Sequence, residues 1–129
     1  MEKNVTVICE ENCNNAPKKQ LLKELMTALV HNNIDYFIEW LTDDIHWKII
    51  GEHEVFGLET IEKELQQITK LNITLLHIDN IITHGNVASL NGFFERNDAE
   101  PIHFCHVYRF SGFGKKAKIK EITSYIIIE

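Results

Sequence analysis

The sequence has little of what staples, anchors or charges many chains of its size. Three cysteines, Cys9, Cys13 and Cys105, are an odd number in 129 residues. That is not the pattern of a secreted disulfide framework. No apolar run is long enough to span a bilayer. The opening stretch Met1-Glu2-Lys3-Asn4-Val5-Thr6-Val7-Ile8 is too short and polar for a signal peptide, so a cytoplasmic location is expected. Positive charge is in deficit: 13 Lys and Arg against 19 Asp and Glu give a net −6. A nucleic-acid or anionic-membrane surface would need a basic patch, so neither is expected as a partner. The single dense basic run, Lys115 to Lys120, reads as a solvated hairpin tip. No Gly-x-Gly-x-x-Gly or Walker-type loop is present, so no nucleotide cofactor is implied, and no other cofactor is expected. There is no repeat, linker or low-complexity tract. What remains is an ordinary globular composition, 44% hydrophobic and 25% charged, long enough for one domain with a real core.

Hydrophobic periodicity divides the chain. Residues 1–16 stand apart as an extension: Val5, Val7 and Cys9 alternate as in a short edge strand, and Glu11 to Asn15 read as a polar turn. The main domain is expected over 17–129. Pro17 starts a helix in which Leu21, Leu22, Leu25, Met26, Leu29 and Val30 recur at helical spacing. Asn32-Asn33 break it, and Ile34, Phe37, Ile38 and Leu41 mark a short second helix. Thr42-Asp43-Asp44 predicts a turn before a strand at Ile45, Trp47 and Ile49, ended by Gly51. Phe56-Gly57 leads into a third helix with Ile61, Leu65 and Ile68 on one face. Four strands follow: Ile73–Thr83, Val87–Arg96, Ile102–Phe110 and Ile119–Glu129. Helices followed by an antiparallel meander predict an α+β fold, a curved antiparallel sheet wrapped around three helices.

The faces of these strands point to a pocket. Phe104, His106, Tyr108 and Phe110 share one side of their strand, a histidine and a tyrosine within an aromatic stripe. Polar groups set in an apolar wall are how small-molecule sites are built. Ala88, Leu90, Gly92 and Phe94 are the apolar set of the preceding strand and belong on the concave side. Gly92 in mid-strand marks a bend or a need for space. In the last strand Ile122, Ser124, Ile126 and Ile128 oppose Glu121, Thr123, Tyr125 and Ile127. Apolar groups on both faces of the sheet imply a homodimer through the outer face.

The order of these pieces carries a resemblance. Two short helices, Asp43-Asp44 before a Trp-bearing strand and Phe56-Gly57-x-x-x-Ile61 are followed by Ile82-Thr83-His84-Gly85, Asn91-Gly92, Phe104 to Phe110 and Thr123-Ser124-Tyr125. Together they resemble the nuclear transport factor 2-like (NTF2-like) superfamily, and more narrowly its SnoaL-like bacterial branch, over about Lys18 to Glu129. The resemblance implies a cone, open at one end and dimeric through its sheet. The fold hosts ketosteroid isomerase, polyketide cyclases, epoxide hydrolases and non-catalytic carriers, so fold does not give function. Residue by residue, the carboxylate base of ketosteroid isomerase falls on Ile49, its oxyanion-hole tyrosine near Leu25, and its buried aspartic acid on His106. The isomerase machinery is largely absent.

His106 is the leading candidate for chemistry, with Tyr108 beside it. Burial in an apolar cone is expected to lower the imidazole pKa and keep it neutral. Trp47, Ile49, Leu90, Phe94, Phe104, Ser124 and Ile126 are the expected walls of the ligand site. His103 and His106 are an odd number apart on a strand and cannot chelate one ion. His46, His53, His77 and His84 show no ligand spacing, so no metal is expected. Cys105 points away from His106, which leaves no Cys-His nucleophile. The leading reading is a cofactor-independent binder of a small apolar or carbonyl-bearing molecule. Two others stay open: an isomerase- or cyclase-like enzyme with His106 as general acid or base, and a dimeric interaction module whose cone is packed shut.

Overall fold

A computed structural model of the chain describes residues 5–10, 16–97 and 99–128. It contains three helices and one seven-stranded sheet, in the order β1 (Thr6–Cys9), α1 (Pro17–Val30), α2 (Ile34–Glu39), β2 (Leu41–Ile49), β3 (His53–Phe56), α3 (Leu58–Ile68), β4 (Ile73–His84), β5 (Val87–Arg96), β6 (Ala99–Phe110) and β7 (Ile119–Ile128). The strands lie in the order β1-β4-β5-β6-β7-β2-β3. The sheet is curved and unclosed, and its long meander β4–β7 is antiparallel as expected. Two contacts are parallel, β1 with β4 and β2 with β7. The second arises because α3 carries the chain from the β2–β3 hairpin back across the sheet before the meander begins. Among the described residues, no helix is long and apolar enough to cross a membrane.

Local chemistry explains the helices. Pro17 sits at the first helical position of α1, where its missing N–H is no loss. The six apolar residues that recur at helical spacing, Leu21 to Val30, are all buried. Asn32 takes a left-handed φ of 65° between α1 and α2, and the Asn33 side chain caps α2 by accepting from Tyr36 N–H. Gly57, with φ 83°, turns the chain into α3, whose Ile61 and Leu65 are buried. All three helices contact one another or the concave side of the sheet.

Three expectations about strands need correction. Thr42, Asp43 and Asp44 are not a turn but part of β2. The register against β7 slips between Leu41 and His46, so the strand passes the polar run in an irregular stretch. A four-residue strand, β3, follows Gly51 (φ 82°) and pairs with β2. It has only Val55 buried, too little apolar pattern to be seen. Ala99 to Pro101, expected as loop, belong to β6. The extension docks as β1 on the edge of β4, with Thr6 beside Leu75 and Cys9 beside Ile78. The expected turn at 11–15, with Cys13, lies outside the described residues.

Gly92 is demanded by the sheet. Between Ile78 and Asn80 strand β4 bulges, leaving Asp79 without a partner on β5. A Cβ at Gly92 would lie 1.9 Å from the His77 carbonyl oxygen and 2.9 Å from its carbonyl carbon. Among the described residues, β7 beyond Ser124 pairs with β6 alone. Its last partner on β2 is Ile49, while pairing with β6 continues to Ile128.

Candidate functional site

The helices do not fill the cone. A cavity of about 350 Å³ lies between α1, α3 and the concave sheet. Of the expected site residues, Trp47, Ile49, Phe94, Phe104, His106, Tyr108, Ser124 and Ile126 all line it. Leu90 does not. It is fully buried opposite His106 on β5 and packs into the core, because the cavity opens toward the other end of that strand, at Phe94. Leu25, matched above to the isomerase tyrosine, is buried on α1 and is not among the lining residues.

The register of three neighbouring strands assembles the polar centre. Ser124 on β7 is paired with His106 on β6 and with Ile49 on β2. Its hydroxyl is 2.7 Å from Trp47 Nε1 and 2.7 Å from His106 Nδ1. An indole N–H can only donate, so Ser124 Oγ accepts from Trp47. Among the described residues His106 Nδ1 is the acceptor within reach of the hydroxyl proton, and a bond in that direction places the imidazole's own proton on Nε2. This side-chain chain therefore runs one way, Trp47 to Ser124 to His106. The imidazole stacks on Phe104 with centroids 4.9 Å apart, and Tyr108 is tilted beside it at 6.1 Å. Among the described residues the Tyr108 hydroxyl reaches only Met26 Sδ, 3.8 Å away, a weak acceptor.

Burial sets the charge states. Desolvation lowers the His106 pKa from 6.5 to about 4, so the ring is neutral near pH 7, as expected. Burial, with a smaller contribution from Cys105, raises the Tyr108 pKa far above its usual value. Both groups are thus neutral and able to donate. Between pH 6.5 and 4 the unfolded chain takes up a proton at this histidine that the folded chain resists. Stability is then fully present above pH 6.5 and is lost progressively as pH falls from there to the folded value near 4, by about 3 kcal/mol in all. Urea unfolding at pH 7 and pH 4.5 should show this loss in the native protein and a much smaller one in His106→Gln.

The mouth is charged, which the sequence reading missed. Glu52 and His53 after β2, Glu64 and Gln67 on α3, and Arg96 on β5 border it. His53 Nε2 contacts Glu64 Oε1 across the opening. A signal existed: Glu64 follows Ile61 by three and precedes Ile68 by four, which puts a carboxylate beside the apolar stripe of α3. Among the remaining histidines, His46 contacts Glu54 at 2.9 Å and stacks on Phe56, and His103 lies on the outer face beside Phe93.

No protein-family model and no curated protein matches the chain. Solved structures do match. An NTF2-like protein of unknown function from Cytophaga hutchinsonii ATCC 33406 is 24% identical, with TM-score 0.67, over 84% of this chain and 97% of the other. A candidate SnoaL-like polyketide cyclase from Shewanella denitrificans OS-217 is 12% identical, with TM-score 0.71, over 88% and 92%. An LEH-like epoxide hydrolase from M. tuberculosis is 14% identical, with TM-score 0.68, over 86% and 83%. The fold is that of the NTF2-like proteins, as the sequence resemblance implied.

Proposed function

We propose that this NTF2-like fold serves, in the manner of the SnoaL-like branch, to bind a small, mostly apolar molecule whose buried end carries a hydrogen-bond acceptor. The carrying observation is the direction of the Trp47–Ser124–His106 chain. It makes His106 Nε2–H a donor, and Tyr108 is a second one, in a cavity whose walls are apolar apart from the charged and polar side chains at its mouth. A ketone, ester or ether oxygen satisfies such donors. A buried hydroxyl or amide N–H would find no strong acceptor there, at a cost of about 1–3 kcal/mol. Substantial hollow space speaks against a cone that works only as a packed interaction module.

The test uses a naphthyl ketone as probe, followed by fluorescence and by its carbonyl stretch. The native protein should bind it with the carbonyl frequency shifted down. His106→Phe should keep the apolar walls, reduce the shift to what Tyr108 alone supplies and weaken binding about tenfold, the loss of one hydrogen bond near 1.4 kcal/mol. Equal affinity and an unchanged spectrum in the variant would overturn the reading.

A second reading, an enzyme that moves a proton next to a carbonyl, is favoured by the Glu64–His53 pair at the mouth. In that reading His106 polarises the oxygen as a neutral donor rather than acting as the base. Glu64 is the candidate proton acceptor. Deuterium exchange at the α-carbon of the bound ketone, lost in Glu64→Gln, would select it. We also propose a second copy of the chain as partner on the outer sheet face, where Tyr125 and Ile127 are 48% and 65% exposed. Sedimentation velocity reads the stoichiometry.

A further inference from the structure

We propose a divalent transition-metal site on the outside of the sheet, formed by His77 and Asp79 of β4 with Glu10, and independent of the cone. One ligand atom from each of the three residues lies within 4.8 Å of the others. In the sequence His77 stands two residues from Asp79 alone, and the third ligand, Glu10, arrives only through the fold. Asp79, two residues on from His77, shares its side of β4 by simple alternation, and the bulge leaves it unpaired on β5. Parallel docking of β1 brings Glu10 alongside, held by a hydrogen bond from its backbone N–H to the Ile78 carbonyl, 3.1 Å.

The detailed geometry favours an ion over a plain ion pair. His77 Nδ1 is buried and makes no hydrogen bond, although Asp79 Oδ1 is 2.9 Å away. The oxygen is near enough to bond but lies off the bonding direction of the nitrogen. Two ligands of one metal stand in that relation: with metal–nitrogen and metal–oxygen bonds of about 2.1 Å they lie roughly 3 Å apart, each aimed at the ion rather than at the other. One ion takes one ring nitrogen, here Nδ1, which faces Asp79; Glu10 Oε2 is 4.0 Å from the other nitrogen, Nε2, too long for a hydrogen bond, and its exposed side chain would turn toward Nδ1 to complete the set. Phe93 stacks on the imidazole at 4.9 Å with planes 13° apart and fixes its orientation. An imidazole with two carboxylates suits zinc or manganese, with water completing the shell. Bound there, the ion would clamp β1, a four-residue edge strand that pairs only with β4, onto the sheet.

Titration of the full chain with Zn²⁺ alone, by calorimetry at pH 7.5, tests this. The native protein should bind one equivalent, with slowed amide exchange in β1. Glu10→Gln is the decisive variant, because Glu10 is exposed on a strand end and its loss leaves the core untouched. It should weaken that equivalent at least tenfold, and His77→Gln should abolish it. Glu64→Gln, at the cavity mouth, should leave it unchanged. No binding, or binding that survives Glu10→Gln and His77→Gln, overturns the proposal and leaves an ion-paired surface cluster.

Discussion

Ser124→Ala should be among the most damaging single-atom changes in this protein. One oxygen would be lost, and two buried groups would lose their partner: the Trp47 indole N–H and His106 Nδ1. Ser124 is fully buried, so water has little access to replace it. Each orphaned group costs about 1–3 kcal/mol, giving an expected destabilisation of about 2–6 kcal/mol by urea unfolding. The change should also release the imidazole to choose its tautomer. Nitrogen-15 chemical shifts of His106 should then move from a pure Nε2–H pattern to a mixture, while ketone affinity falls. Trp47→Phe removes the donor in advance. If the hydroxyl works as a relay, Ser124→Ala in that background should cost at least 1 kcal/mol less than alone. Equal costs in the two backgrounds would show that indole and serine do not act together.

Gly92→Ala is expected to be comparably severe for a different reason. The obstacle is the His77 carbonyl, 1.9 Å from the position of the new methyl group. Backbone on a paired strand cannot rotate aside as a side chain can, so β4 and β5 must separate where the bulge already strains their pairing. A loss of about 3 kcal/mol is expected, at the upper end of overpacking effects. Melting should report it, and so should faster amide exchange confined to β4 and β5. A variant with native melting temperature would mean that the two strands approach less closely than described.

Much of this architecture was legible because the strongest signals were periodic. Leu21 to Val30 repeat at helical spacing and are buried as read. The alternation in β5 and β6 placed Phe94, Phe104, His106 and Tyr108 inward, and all line the cavity. The failures lie where a tertiary contact replaces local pattern. Thr42-Asp43-Asp44 has turn chemistry, yet pairing of β2 with β7 on either side holds it extended. His53-Glu54-Val55-Phe56 is too short to alternate visibly. Leu90 was on the right face but at the wrong height, since period two gives the side of a strand and not its distance from the cavity. The donor role proposed for His106 was invisible for a similar reason. It depends on Trp47, Ser124 and His106 meeting from three strands, 77 and 18 residues apart in sequence.

The end of β7 carries a consequence of its own. Past Ser124 the strand has a neighbour on one side only, and Tyr125-Ile126-Ile127-Ile128 are 38–65% exposed. This is an open ladder of amides carrying four uncharged, strand-forming side chains, the combination that templates addition of a foreign strand. The protein should therefore be sensitive to crowding by its own copies, with turbidity that grows with protein concentration and is suppressed by a lysine at Ile127. The rim of the cone is thus also where unguarded self-association would begin.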